Sequence, residues 1–256
     1  MEGERVRIEI DGPVAVITVD RPAKLNALNR NMVAGLAEAC RTVEHSSARA
    51  AILTGAGARS FCAGGDIADW SGDSPEAFGR FWIREGHAAF DALARLRQPL
   101  VAVLNGDCLG GGLELAACAD YRIAERHARL GLPEAGLGII PGWSGTQRAV
   151  RRFGSRAVRR MALFGETFQA EEALGIGLVD LVCDTGGGMD AARKVVARLL
   201  GRSPQASETV KMLVNAAEGE ERERVLEAVA GQLAAGSRDL AEGLDAFRNK
   251  RKPDYS

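Results

Sequence analysis

LVAVLNGDCLGGGLELAACADYRIA, residues 100–124, decides the fold class. Leu100–Leu104 is an unbroken apolar run of buried-strand length. A glycine-rich turn follows, and Gly110–Gly112 opens a helix of small residues over Leu113–Ala119. Tyr121–Ala124 reads as the next strand. A second stretch, AILTGAGARSFCAGGDI (residues 51–67), repeats the order of apolar strand and glycine turn. Upstream, Val6–Ile10 and Val14–Val19 flank Asp11-Gly12, a hairpin signal. From Asn31, the apolar set Met32, Leu36, Cys40 and Val43 follows helical spacing. A helical stretch carrying Phe78, Phe81, Trp82, Phe90 and Leu93 separates the strands Ala50–Leu53 and Leu100–Leu104. After Gln147 the pattern is mostly helical, with breaks at Gly165, Gly175–Gly177, Gly186–Gly188 and Pro204. Strands are therefore expected within residues 5–125 and helices after 145: one α/β core with a helical C-terminal third. There is no internal repeat and no low-complexity linker.

A chain of 256 residues buries about three quarters of its unfolded surface and needs no disulfide or structural metal to hold a core. It is 46% hydrophobic and 26% charged, enough apolar surface to offset chain entropy, so long disorder is not expected. Lys plus Arg is 33 and Asp plus Glu is 34, a formal charge of −1. That balance offers no general attraction to nucleic acid or anionic lipid. The longest apolar runs, Leu100–Leu104 and Leu115–Ala119, are far short of a membrane span. The charged start, MEGERVRIEI, lacks the apolar stretch of a signal peptide. The five cysteines form no Cys-x-x-Cys pair. Four sit among small or apolar neighbours and read as buried thiols in a reducing, cytoplasmic setting.

Several chemistries fail on spacing. Gly55-Ala-Gly57 places Ser60 where a dinucleotide fingerprint needs its third glycine, and a P-loop Gly-Lys-Ser/Thr ending is absent. Gly142-Trp143-Ser144-Gly145-Thr146 lacks the last glycine of a nucleophile elbow. His45, His87 and His127 are too scattered for a zinc pair, so no metal is expected. The basic clusters Arg148–Arg160 and Arg248–Lys252 read as solvated helix faces.

Two glycine turns remain, Phe61–Asp66 and Asn105–Glu114. The first amide N–H groups of a helix lack internal partners and carry the positive end of its dipole. Two such turns could aim two donors at one oxygen, although glycine turns are mostly structural. Glu114 sits in the first turn of the glycine-led helix, and Glu134 follows Gly131-Leu132-Pro133 among apolar neighbours. Each also fits a helix-start acid that complements the dipole. Spacing does not say whether the two face one another.

AILTGAGARSFCAGGDI, LNGDCLGGGLELAACADYRIA and LGLPEAGLGIIPGWSGTQR resemble three signature blocks of the enoyl-CoA hydratase/isomerase (crotonase) family. RPAKLNALN and AFRNKRKP are similar to two more, so the resemblance runs from about residue 5 to 253. It implies a spiral of ββα units as the catalytic core, residues 1–195, followed by a helical region, residues 196–256, that builds a homotrimer or a homohexamer of two trimers. The ligand is then an acyl-CoA thioester; CoA is part of the substrate and no separate cofactor is implied. Gly65 and Gly111 are the positions whose amides bind the thioester oxygen. Glu114 is the base that delivers water to Cβ, and Glu134 protonates Cα. Lys24, Leu25, Ala27, Ala63, Asp66 and Ile67 match CoA-binding positions. Phe247 and Lys250 match a Phe and a Lys that reach a neighbouring subunit's CoA.

Both acids together favour a hydratase. An isomerase, which often keeps only the later acid, is the alternative, as is a noncatalytic acyl-CoA- or RNA-binding protein on the same scaffold. Gly65 stands where many family members have Ala. Trp143-Ser144 replaces a common Ala-Gly pair, and Trp143 could narrow the acyl pocket. Trp70, Phe78, Phe81 and Trp82 occupy a segment that usually shapes that pocket, with packing an equal reading for most of them.

Overall fold

The computed structural model describes residues 4–220 and 237–255. The chain divides into two compact units, Met1–Glu208 and Thr209–Ser256.

In the first unit ten strands form two sheets. Arg5–Asp11 (β1) and Val14–Asp20 (β2) make the hairpin that Asp11-Gly12 signals, with Asp11 opposite Val14 and Gly12 at φ +54°. Then strands come in pairs: Ala50–Gly55 (β3) with Ser60–Cys62 (β4), Leu100–Leu104 (β5) with Asp107–Leu109 (β6), Tyr121–Glu125 (β7) with Arg129–Gly131 (β8). The first member of each pair joins a six-stranded sheet, whose order is completed by Leu181–Cys183 (β10) as β1-β2-β3-β5-β7-β10. The second member joins a four-stranded sheet, completed by Thr167–Gln169 (β9) as β4-β6-β8-β9. Helical segments follow each pair, so the chain winds as a spiral of ββα units. Apart from the β1–β2 hairpin, the large sheet is parallel.

Parallel strands of this kind are covered on both faces and read as continuous apolar runs. All residues of β3 and β5 are buried. Ala51, Leu53, Ala102 and Leu104 face one core together with Met32, Leu36, Cys40 and Val43 of the helix Arg30–Glu44. Ile52, Val101, Val103 and Ile123 face the other, against Ala192 and Val196 of the helix Gly188–Leu200.

Two expectations differ from what is observed. Strands do not stop at residue 125: β8, β9 and β10 lie beyond it, each three residues long. Runs this short carry no periodicity to read. The helix opened by the second glycine turn also ends earlier than expected, at Ala116.

The second unit contains the end of the helix Pro204–Ala217 and the helix Arg238–Arg248, which is capped by Ser237 Oγ accepting from Leu240 N. No helix among the described residues is long and apolar enough to cross a membrane.

Asn105 ties the ends of β3 and β5 together. Its Nδ2 donates to the carbonyls of Gly55 and Gly57 at 2.8 and 2.7 Å, and its Oδ1 accepts from Gly55 N at 3.1 Å. Removing a buried amide leaves these backbone groups unsatisfied. Asn105→Ala is expected to lower the unfolding free energy in urea by about 2–4 kcal/mol; a loss under about 0.5 kcal/mol, the size of an ordinary surface change, would mean water replaces the side chain fully.

Candidate active site

Three adjacent strands of the small sheet run parallel, β4 beside β6 and β6 beside β8. Cys62 pairs with Cys108, and Cys108 with Leu130. Their C-terminal ends therefore lie side by side, and three segments leave from one edge: Ala63–Asp66, Gly110–Gly112 and Leu132–Glu134. The two glycine turns are in contact. A methyl placed on Gly64 would stand 3.1 Å from Gly111 N, and one on Gly111 would stand 3.3 Å from Gly64 Cα.

The peptide planes in these turns are set by hydrogen bonds on their carbonyl sides. The Gly64 carbonyl accepts from Leu28 N at 2.8 Å, and Asp66 N donates back to the Leu28 carbonyl at 2.8 Å. Because C=O and N–H point opposite ways across a trans peptide, the Gly65 N–H is turned away from Leu28. The Gly110 carbonyl accepts from Leu113 N and Glu114 N in the first turn of the helix Gly111–Ala116. The Gly111 N–H consequently points out of that helix's N-terminal end. Gly65 and Gly111 both line the same cleft, with about 580 Å³ of empty space that is open to solvent.

Both glutamates line it too. Glu114 is 2% exposed, and its Oε1 accepts from Trp143 N at 2.7 Å and from Gly145 N at 2.6 Å. Ser144 between those donors has φ +85°, a conformation few non-glycine residues adopt, and it lets both flanking amides face one oxygen. Burial, and secondly the charge of Glu134, pushes the Glu114 carboxyl from 4.5 up to about 8, while the two amides and Arg148 pull against that rise. Glu134 opens the 3-10 turn Glu134–Leu137 and is also buried, which raises its carboxyl from 4.5 to about 7. Its Oε2 is buried with no hydrogen-bond partner. A methyl on Gly110 would stand 2.9 Å from Glu134 Oε1, so this acid lies directly over the second glycine turn.

Indole and phenyl rings wall the cleft. Trp82 and Trp143 lie with ring centroids 4.9 Å apart, and Trp70 and Phe78 with centroids 5.2 Å apart; all four line it. Ala63 and Ile67 join the lining. The structure thus brings Gly65, Gly111, Glu114, Glu134, Trp70, Trp143, Ala63 and Ile67 together. Lys24, Leu25 and Ala27 lie outside the lining but adjoin it through Ala63 N, which donates to the Leu25 carbonyl. The Asp66 carboxylate caps the helix Ile67–Trp70 and binds Arg21 Nη1 at 2.5 Å, a pairing that lowers its titration. Phe247 and Lys250 belong to the second unit; Phe247 is exposed and Lys250 has φ +50°.

Sequence reasoning passed over several residues here. Asn26 is buried at φ +57° and organises the Arg21–Leu28 turn. Its Oδ1 accepts from Arg21 N, and its Nδ2 donates to the carbonyls of Ala56 and Ser60. Arg148, expected on a solvated face, is 1% exposed and pairs with Asp91 Oδ1 at 2.6 Å. Cys62, within the first turn, is a buried thiol pushed up to about 12 by burial. Among the described residues no group of three His, Cys, Asp or Glu is placed to hold a metal ion.

A family model described as enoyl-CoA hydratase/isomerase matches residues 9–256. A short-chain-enoyl-CoA hydratase of Clostridium acetobutylicum is 36% identical over 255 residues, covering 98% of this chain and 97% of that protein. A crotonyl-CoA hydratase of Syntrophomonas wolfei is 34% identical, covering 100% and 99%. The crystal structure of an enoyl-CoA hydratase from Bacillus anthracis superimposes with a TM-score of 0.79 at 30% identity, covering 98% of both chains.

The raised carboxyl of Glu114 has a consequence for stability. Between 4.5 and about 8 the folded chain holds a proton that the unfolded chain has released, so stability falls as pH rises through that window. Glu114→Gln keeps an oxygen for the two amides and removes the titration. The variant is expected to gain roughly 1–3 kcal/mol over the parent at pH 9 relative to pH 5, measured by urea unfolding at both; equal pH dependence in the two proteins would show that Glu114 titrates normally.

Proposed function

The chain belongs to the enoyl-CoA hydratase/isomerase family, and from that premise we propose that it is an enoyl-CoA hydratase, a hydro-lyase of lipid metabolism. It adds water across the double bond of a 2-enoyl-CoA thioester and releases the 3-hydroxyacyl-CoA. One observation carries the reading: two N–H groups from separate loops turn into a cleft that also holds two buried acids.

Adding water to the β-carbon moves an electron pair toward the thioester oxygen. Fixed donors aimed at that oxygen stabilise the enolate without reorganising, and one such donor is typically worth roughly 10²–10³ in rate. We assign that task to the Gly65 and Gly111 amides. Syn addition also needs one acid ionised and one protonated. With both carboxyls raised toward neutrality, the pair shares about one proton near pH 7. Burial and the charge of Glu134 lift Glu114, at about 8, above Glu134, at about 7; of the two arrangements of the shared proton, we assign the reactive one to the charge on Glu114, where two amides donate to one oxygen. Glu114 takes a proton from water as the oxygen bonds to Cβ. Glu134, over the glycine turn with an unpartnered oxygen, gives its proton to Cα. A proton then passes from Glu114 to Glu134 and restores the starting pair.

On this reading Lys24, Leu25, Ala27, Ala63, Asp66 and Ile67 flank the CoA nucleotide, and Phe247 and Lys250 serve a neighbouring subunit's CoA. No further cofactor is required. The exposed apolar side chains Leu163 and Phe164 support a homotrimer or homohexamer. Within it, residues 1–195 would carry the chemistry and residues 196–256 the assembly. Five free cysteines support a reducing, cytoplasmic location. The unpartnered Glu134 oxygen also suits an isomerase, in which one acid moves a proton between Cα and Cγ.

With crotonyl-CoA the conjugated thioester absorbance is expected to fall as water adds; with a 3-enoyl-CoA an isomerase would make it rise. Glu114→Gln and Glu134→Gln are each expected to lower kcat by about 10²–10⁴, with binding of CoA retained. Near-wild-type turnover by either variant removes that residue from the mechanism.

A further inference from the structure

We infer that Trp82 sets the acyl-length limit of this site, restricting it to short 2-enoyl thioesters, with Trp143 holding Trp82 in place. The inference rests on the hydratase reading above.

Trp82 and Trp143 are 5% and 3% exposed, yet both form part of the cleft wall. Each covers one of the two donor residues. A methyl on Gly65 would stand 2.8 Å from Trp82 Cζ2, and one on Gly111 would stand 3.1 Å from Trp143 Cε3 and Cζ3. A thioester oxygen seated on those two N–H groups therefore has aromatic carbon close beside its acyl chain. Leu137 and Ile140, on the same lining, are 59% and 76% exposed. The buried indoles therefore form the closed part of the cleft wall.

These rings have little freedom to swing aside. Trp143 Nε1–H donates to the Trp82 carbonyl at 3.1 Å. That carbonyl lies in the π-helical stretch Phe78–Ile83, a wide turn of the kind found at functional sites. The Phe90 ring backs Trp143 with centroids 5.1 Å apart, and a methyl on Gly86 would overlap the Trp143 indole. The Arg30 guanidinium lies over the Trp82 ring, 5.7 Å from its centroid, while it pairs with Asp69 and Asp73. Displacing Trp82 for a longer chain breaks this set of contacts together.

The two indoles do different jobs. Trp143 also gives its backbone N–H to Glu114, so a change there disturbs the acid as well as the wall. The Trp82 ring stands nearest the Gly65 position, inside the 3.5 Å at which Trp143 Cη2 approaches the same point. Residue 65 and residue 82 therefore share one space: a ring at 82 requires no Cβ at 65. This gives a reciprocal test.

Specificity constants kcat/KM are measured for crotonyl-CoA and 2-decenoyl-CoA on the parent, Trp82→Leu, Trp82→Phe, Gly65→Ala and the double variant Gly65→Ala/Trp82→Leu. Melting curves establish which are folded. The crotonyl preference is expected to drop at least about tenfold in Trp82→Leu, chiefly through faster decenoyl turnover, and by less in Trp82→Phe. Gly65→Ala is expected to lose at least about tenfold toward crotonyl-CoA, and the double variant to return to within about threefold of Trp82→Leu. An unchanged preference in either folded Trp82 variant overturns the inference. So does parental activity in Gly65→Ala, or a double variant that stays as impaired as Gly65→Ala. Failure of the parent protein to consume either substrate would instead remove the hydratase reading itself.

Discussion

The parallel register of β4, β6 and β8 is the constraint on which the site depends. Each strand is three residues long, and each ends where a site segment begins. Side-by-side ends bring a turn, a helix start and an acid from residues 63, 110 and 134 within contact of one another. Ligands of α/β folds commonly collect at the carboxyl ends of parallel strands for this reason. Here the small sheet supplies the edge, and the large sheet behind it supplies the burial that makes the edge rigid. A slip of one residue in β6 would reverse which face its side chains occupy and carry Gly111 away from Gly64.

Burial then sets the electrostatics. Taking two carboxyls out of water disfavours their charge, which is the leading cause of both upward shifts. The fold answers more strongly at one acid. Glu114 receives two amides from a strained turn and feels the charge of Arg148, itself held by Asp91. Glu134 receives no partner at Oε2. Two carboxyls of equal intrinsic acidity thereby acquire unequal surroundings, and the amides at Glu114 offset part of a rise that still leaves it, at about 8, above Glu134, at about 7. With both raised toward neutrality, a single cleft holds one carboxylate and one carboxylic acid at the same pH.

How much of this was legible in the sequence depends on range. The β1–β2 hairpin follows from Asp11-Gly12, and the helix Arg30–Glu44 from the spacing of Met32, Leu36, Cys40 and Val43, all of them buried. β3 and β5 follow from apolar runs that suit a doubly covered sheet. The small sheet does not follow, because three residues give no period and its strands sit among glycines. Spacing alone marked the two glycine turns and the two acids without relating them. The family resemblance related them, and the geometry places all four on one cleft. Arg148 was illegible for another reason. A run of arginines reads as solvated unless one knows that Asp91, 57 residues away, stands opposite. Likewise, nothing local connects Glu114 with the amides of Trp143 and Gly145.

Donors taken from the backbone cannot be deleted by changing a side chain; they are lost only if the peptide turns over. Gly64 and Gly65 together give their shared peptide unusual freedom to do so. What prevents it lies outside the cleft. Leu28 bonds to the carbonyl of Gly64 and to the N–H of Asp66, gripping the chain on both sides of the donor. Arg21 grips the Asp66 side chain and the Ala27 carbonyl, while Asn26 fixes the turn that carries Leu28. The Arg21–Leu28 turn is therefore a brace for a peptide plane. The rate such a site can reach depends on how firmly that brace holds, since a donor stabilises an oxyanion only while it needs no reorganisation to face it.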